Sequence, residues 1–189
     1  MTAVLDRDGE VIAATSKWLE RAVIGLNLCP FAKGVHVKRQ IRYRVSHART
    51  DDSLLDDLER ELKFLGVVTP EETDTTLLIA ANILADFNQF AGFLDLAEVV
   101  LRTHGLVGII QIASFHPQYV FADAKPDDIA NFTNRAPYPT LHLLREASLD
   151  KAAAAFPDAA DIYQRNIETM IALGHEGWRA LDLEAKTRS

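Results

Sequence analysis

Between Val35 and Ala113 the spacing of apolar residues switches repeatedly between the two-residue period of a strand and the three-to-four-residue period of a helix. Val35, Val37, Ile41, Tyr43 and Val45 alternate with His36, Lys38, Gln40, Arg42 and Arg44. This predicts a half-exposed strand over 35–45, with Arg39 its one violation. Leu54, Leu55, Leu58, Leu62 and Leu65 then form a helical stripe that Asp52 or Ser53 can cap and that ends near Gly66. Residues 75–83 read as a buried strand. Asp86 or Asn88 can cap a helix through Phe90, Phe93, Leu94, Ala97, Val100 and Leu101, with Gly105 placed to terminate it, and a third strand follows over 107–113.

This βαβαβ succession predicts an α/β fold with a partly parallel sheet of about four strands and helices packed on its faces. The fourth strand is Thr140–Arg145, although so short a segment also allows the start of a helix. Pro137 and Pro139 before it, and Ser148 as a cap after it, favour the strand. An N-terminal amphipathic helix carrying Val11, Ile12, Trp18, Leu19, Ala22, Val23 and Leu26 runs to about Leu28 and stops before Pro30. Two C-terminal helices fit 149–156 and 159–173. At 189 residues the chain reads as one globular domain over 1–189, with roughly the first eight and last six residues frayed.

The longest apolar runs, 77–84 and 106–115, contain polar residues and are too short to span a bilayer. Asp6, Asp8 and Glu10 stand where a secretory signal would be basic and then apolar. Cys29 is the only cysteine, so no internal disulfide forms, and a soluble protein of the reducing cytoplasm is expected. A net charge of −7 disfavours nucleic acid and anionic membranes as partners. That charge is segregated. The stretch 29–50 holds Lys33, Lys38, Arg39, Arg42, Arg44 and Arg49 and no acid, which leaves 14 basic and 27 acidic residues elsewhere. Its wet face could bind phosphate or RNA, or lie against the acidic helix carrying Asp52, Asp56, Asp57, Glu59 and Glu61. Adjacency in sequence favours the second. Neither a glycine-rich phosphate loop nor a dinucleotide fingerprint is present, and no cofactor is specified.

Ser114-Phe-His-Pro-Gln-Tyr119 follows the third strand, where open α/β sheets bind ligands at the carboxyl ends of parallel strands. The proline-rich connection to the fourth strand, with a short helix expected near Pro126, carries Phe115, Tyr119, Phe121, Phe132 and Tyr138, an aromatic content that argues for order. Asn27-Leu-Cys-Pro-Phe-Ala32, Ser114-Phe-His-Pro-Gln-Tyr119, Asn131-Phe-Thr-Asn-Arg-Ala-Pro-Tyr-Pro139 and Leu141-His-Leu-Leu-Arg-Glu146 together resemble an uncharacterised bacterial family, domain of unknown function 1415. The resemblance covers Trp18 to about Trp178 and implies no particular activity, cofactor or catalytic residue.

Read from the residues, His116, Asn134, Arg135, His142, Arg145 and Glu146 supply two imidazoles, an amide, two guanidiniums and a carboxylate, a set suited to holding an anion and moving a proton. On a regular strand His142 and Leu144 share one face and Arg145 shares the other with Leu141 and Leu143, so His142 and Arg145 do not point into one cleft. Against this stand plainer roles: His116 as a structural corner, Asn134 and Arg135 as partners of loop carbonyls, His142 as a satisfied core residue and Glu146 as the partner of a neighbouring arginine. Cys29, in what reads as a buried elbow at a helix C-terminus, has its pKa raised rather than lowered, which disfavours a thiolate nucleophile. A metal site built from Cys29, His36, His116 and His142 lacks the short paired spacings of zinc sites. The leading expectation is an enzyme or ligand-binding domain for a small anionic molecule, with His116 as acid or base, Arg135 and Arg145 as anchors, and Asn134 and His142 as further binding groups. The competing expectation is a protein-interaction or assembly domain that uses the aromatic loop. Oligomeric state is left open by the sequence.

Overall fold

A computed structural model describes residues 2–154 and 161–183. Four strands, β1 (Ile41–Val45), β2 (Thr75–Ile79), β3 (Ile110–Phe115) and β4 (Thr140–Arg145), form one sheet in the order β1–β2–β4–β3. β1 and β2 are parallel, with Ile41 opposite Thr75 and Val45 opposite Ile79. β4 is inserted antiparallel between β2 and β3, with Thr140 opposite both Ile79 and Phe115. The expected α/β architecture is therefore present, and 140–145 is a strand.

Every residue of β2 is buried, because helices cover both faces of the sheet. On one face α3 (Asp51–Val67) and α4 (Phe87–Thr103) bring Leu54, Leu58, Leu62, Leu65, Phe90 and Phe93 onto Leu78, Leu141, Leu143 and Ile110. On the other lies α1 (Thr2–Trp18), continued by a π-helical turn at Leu19–Ile24. Val11 packs on Val45, Leu77 and Ile79, while Trp18, Leu19, Ala22 and Val23 meet Ile41, Tyr43 and Phe115. The chain also forms α2 (Ala32–Val37), a 3-10 turn at Ile129–Asn134, α5 (Glu146–Ala154) and α6 (Ile162–Ala180), the last of which packs on the 3-10 turn.

Several boundaries differ from the sequence reading for identifiable reasons. The strand expected over 35–45 begins only at Ile41. Arg39, the one break in its alternation, has φ +58°, the left-handed turn that separates α2 from β1. β3 runs 110–115 rather than 107–113, since Gly108 at φ +78° still belongs to the turn. β2 ends at Ile79, short of 83. The first helix runs as helix to Ile24 rather than Leu28. α5 starts at Glu146, ahead of 149, and α6 extends past 173 to Ala180 across a kink at Gly174, φ +63°. The ends expected at 156 and 159, and the fraying from Glu184, lie outside the described residues.

The basic strand pairs with the acidic helix through one residue above all. Glu61, 4% exposed, accepts from Arg42 Nε and Arg42 NH2 at 2.7 and 3.2 Å and lies 3.7 Å from Arg44 Nε. A bidentate contact to a carboxylate this dehydrated locks β1 onto α3. α3 itself is started not by Asp52 or Ser53 but by Thr50. Thr50 Oγ1 accepts from Ser53 N at 3.3 Å and Ser53 Oγ accepts from Thr50 N at 3.2 Å. α4 is capped by Asp86, whose carboxylate accepts from Gln89 N at 3.0 Å, as the sequence implied. Replacing Thr50 by Ala removes a reciprocal cap and should lower unfolding free energy by about 1 kcal/mol. Urea unfolding reads this as a lower midpoint at unchanged slope.

Candidate functional site at the carboxyl ends of the strands

β1, β2 and β3 run in one direction, so the chain leaves all three at the same edge of the sheet, which is also where it enters β4. There the pairing of β2 with β4 is extended by Ala80 N donating to Pro139 O at 2.8 Å, and Asn82 Nδ2 donates to Ser46 O at 3.3 Å beyond β1. These contacts frame an open pocket of about 610 Å³. Its lining includes Arg7 from α1, Arg49 after β1, Asn82 after β2, Gln118 after β3, and Tyr138 with Pro137 and Pro139 before β4. Among the described residues no aspartate or glutamate lines it, and neither the Arg7 nor the Arg49 side chain forms an ion pair or a hydrogen bond. Burial raises the pKa of the Tyr138 phenol; nearby Arg7 lowers it and Glu10 raises it further.

His116 stands behind this pocket, completely buried. Its Nδ1 accepts from Gln118 N at 3.0 Å, so Nε2 carries the proton and donates to Leu84 O at 2.9 Å. Leu84 holds a left-handed backbone, φ +61°, a strained conformation for a branched residue. The histidine thus pins the chain between Ile83 and Ala85, two wall residues, and fixes Pro117 and Gln118 on the other side. The rings of Phe87 and Phe90 lie 5.4 and 5.1 Å from it. Burial holds its pKa below the usual histidine value, against smaller opposing effects from Leu84 O and Asp86. With both nitrogens engaged by backbone, the ring positions the wall and offers no atom to the pocket.

The other residues singled out in the sequence are dispersed. Arg135 donates to Tyr119 O at 3.3 Å and Pro126 O at 2.7 Å, with its guanidinium 3.9 Å from the Phe132 ring centroid, and burial lowers its pKa. Asn134 Nδ2 donates to Ser114 O at 3.2 Å, while Asn134 O accepts from His116 N at 3.1 Å. Both staple the long loop. Arg145 lies at the opposite end of the sheet, opposite Ile110, roughly 16 Å along β4 from its start at a strand's rise per residue. There it donates to Val68 O and Thr73 O at 2.6 and 3.2 Å and closes the α3–β2 connection. His142 is on the α1 face of β4, where Thr75 Oγ1 donates to Leu143 O and accepts from His142 Nε2, both at 2.6 Å. The residue is only partly covered, yet its ring is desolvated enough to bring its pKa down to about 4. Glu146 N donates to Ile109 O at 3.0 Å, and no ion pair involves its side chain among the described residues. Burial raises the Cys29 thiol, against weaker opposing contacts from the backbone of Phe31 and Ala32. Among the described residues no three His, Cys, Asp or Glu side chains gather as metal ligands, so the four named in the sequence reading do not form one site.

Through His116 and the loop 114–139 the sequence reading pointed to the edge of the sheet that carries this pocket, but not to the arginines in it. Arg49 lies within the basic stretch 29–50, but nothing in the sequence separates it from Arg42 and Arg44; only the fold gives those two Glu61 and leaves Arg49 without an ion-pair partner among the described residues. Arg7 carried no signal either, because only packing of α1 brings it to Tyr138.

Fold and pocket define a class: an α/β domain with a mixed four-stranded sheet and a cationic pocket at the carboxyl ends of its parallel strands. The chain belongs to the family described as protein of unknown function DUF1415, whose sequence profile matches residues 10–180. No curated protein and no solved structure matches it. Arg49, His116, Gln118 and Tyr138 fall within the matched span and Arg7 just before it.

Removing His116 leaves the Leu84 carbonyl and the Gln118 amide unpaired inside the wall, so His116→Ala should cost about 2–3 kcal/mol in urea unfolding. A pH effect follows from the two depressed histidines. Their folded pKa lies below the unfolded value near 6.5, so the unfolded chain takes up protons first. Stability is full above about pH 6.5 and is lost as pH falls toward the folded value, about 4 for His142. In His142→Gln, which keeps a donor for Thr75 and cannot titrate, the loss between about pH 7.5 and about pH 5 should be smaller than in wild type.

Proposed function

We propose that this protein is an enzyme or ligand-binding domain for a small anionic molecule, held by Arg7 and Arg49 in the pocket at the carboxyl ends of the strands. The observation that carries the reading is the pair of guanidiniums that, among the described residues, have no ion-pair partner and line one concavity with no carboxylate in its lining, in a chain whose net charge is −7. Two arginines left without partners in an acidic protein are matched by an anion from solution. Asn82 and Gln118 supply amides that orient the ligand, and Tyr138 supplies a hydroxyl. His116 and Arg135 serve this function from behind, by fixing the loops that form the wall. We place the protein in the bacterial cytoplasm, a setting that suits its single free thiol. No helix among the described residues is long and apolar enough to cross a membrane.

The interaction-domain reading draws less support. Phe115 packs edge-on against Trp18 at 5.0 Å, and Tyr119 against Phe87 and Phe121 at 5.1 and 5.0 Å. These loop rings are half-buried against one another instead of forming an exposed convex patch.

Thermal unfolding in phosphate or succinate, compared with chloride at equal ionic strength, tests the proposal. Ligand at tenfold its Kd stabilises the folded state by about 1.4 kcal/mol, and Arg49→Ala should lose most of that gain. Equal stabilisation of wild type and Arg49→Ala by every anion tried would refute it.

A further inference from the structure

β1 is the outermost strand on its side of the sheet and, among the described residues, is paired with β2 alone. Gln40 O accepts from Asp74 N and Thr75 N at 2.9 and 3.3 Å, and Ser46 N donates to Ile79 O at 2.8 Å, so the even-numbered residues turn their backbone groups toward β2. A strand's period of two then turns the N–H and C=O of Ile41 and Tyr43 outward, where no described residue bonds to them. The side chains of these two residues lie on the α1 face, and those of Arg42 and Arg44 on the α3 face. At the start of the strand stand Lys33, Lys38 and Arg39, exposed and, among the described residues, without an ion pair or side-chain hydrogen bond, beside Val37, which is 72% exposed. The carboxylates nearby are engaged or belong to the inner side of β1. Glu61 is shared by Arg42 and Arg44, and Glu20 accepts from Ser16 and lies 3.7 Å from His36. Glu71 and Glu72 are on the connection into β2, where Gln40 Nε2 donates to Glu71 O.

We propose that this edge is a docking site for an extended acidic segment of a partner protein, which joins the sheet as a further strand beside β1. Unbonded ladder groups call for a peptide backbone, and RNA offers none. Charge then selects among peptides. A second copy's β1 would set arginine against arginine, so pairing of two such edges is disfavoured, whereas a strand carrying Asp or Glu meets Lys33, Lys38, Arg39 and the half-exposed Arg44. The two faces of β1 set the pattern of the guest. Its acids stand beside Arg42 and Arg44, and the residues between them, beside Ile41 and Tyr43, are apolar, so the segment alternates. The site is on the flank of the sheet, uses none of the residues that line the pocket, and is independent of the anion-binding reading.

The experiment adds an acetylated and amidated peptide of about eight residues, alternating Glu and Val, to the full chain and follows amide exchange by NMR and affinity by calorimetry. In the free chain the amides of Ile41 and Tyr43 should exchange with water faster than those of Arg42 and Arg44, and the peptide should slow the first pair. N-methylation of one alternate set of the peptide's amides should abolish binding, and N-methylation of the other set should leave it intact, because only one set faces β1. A peptide of the same composition with every Glu placed before every Val should bind roughly tenfold more weakly, and Lys33→Glu combined with Lys38→Glu should weaken the alternating peptide by a similar factor. Both lysines are exposed, so this variant keeps the fold. Oligouridylate or polyglutamate bound as tightly as the alternating peptide, with the Ile41 and Tyr43 amides still exchanging freely, would show a patch for polyanions in general and overturn the added strand. Absence of binding by the alternating peptide, or protection of those two amides already in the free chain, overturns it as well.

Discussion

The insertion of β4 between β2 and β3 is the constraint on which the rest of the molecule depends. β2 and β3 run the same way yet are not bonded to each other; the last strand bonds to both, from Thr140 opposite Ile79 and Phe115 at one end toward Arg145 at the other. Because β4 runs antiparallel, it begins where its neighbours end. The chain entering it, Pro137–Pro139, is therefore delivered to the carboxyl edge beside the residues that leave β1, β2 and β3. A parallel fourth strand would carry Arg145 to that edge and Tyr138 away from it.

Around that edge the structure divides labour between residues that make the pocket and residues that hold the makers in place. His116 and Asn134 bond almost wholly to backbone, and Arg135 adds only the Phe132 ring, which is how a long loop with few ladder hydrogen bonds is given one conformation. The strained backbone of Leu84 is one thing such a strut sustains, since a buried histidine can supply the donor its carbonyl needs. The pocket's charge comes from elsewhere, from segments anchored by α1 and α3. Glu61 on α3 is shared by Arg42 and Arg44, so the buried carboxylate is committed to β1, while Arg49, just beyond the strand, has no ion-pair partner among the described residues.

The elements were largely legible because their signals are local. Alternation at Ile41, Tyr43 and Val45, the leucine stripe from Leu54 to Leu65 and the Asp86 cap each lie within a few residues and follow from backbone geometry alone. Boundaries slipped where one backbone angle decided them, as at Arg39 and Gly108. The face alternation of β4, which sets His142 apart from Arg145, was also readable, because a strand's period of two holds whatever surrounds it.

What the sequence determined by itself was the α/β succession and the segregation of charge. Which side chains meet at the pocket was decided by tertiary structure. Arg7 and Arg49 are separated by a helix and a strand, and nothing in local periodicity measures that distance; packing of α1 across β1 and β2 does. Covering the other face, α4 supplies the Phe87 and Phe90 rings packed on His116, whose nitrogens are engaged by Leu84 O before α4 and by Gln118 N after β3. A residue's chemistry is set by the partners and water it meets in three dimensions, and these depend on contacts between segments far apart in the chain.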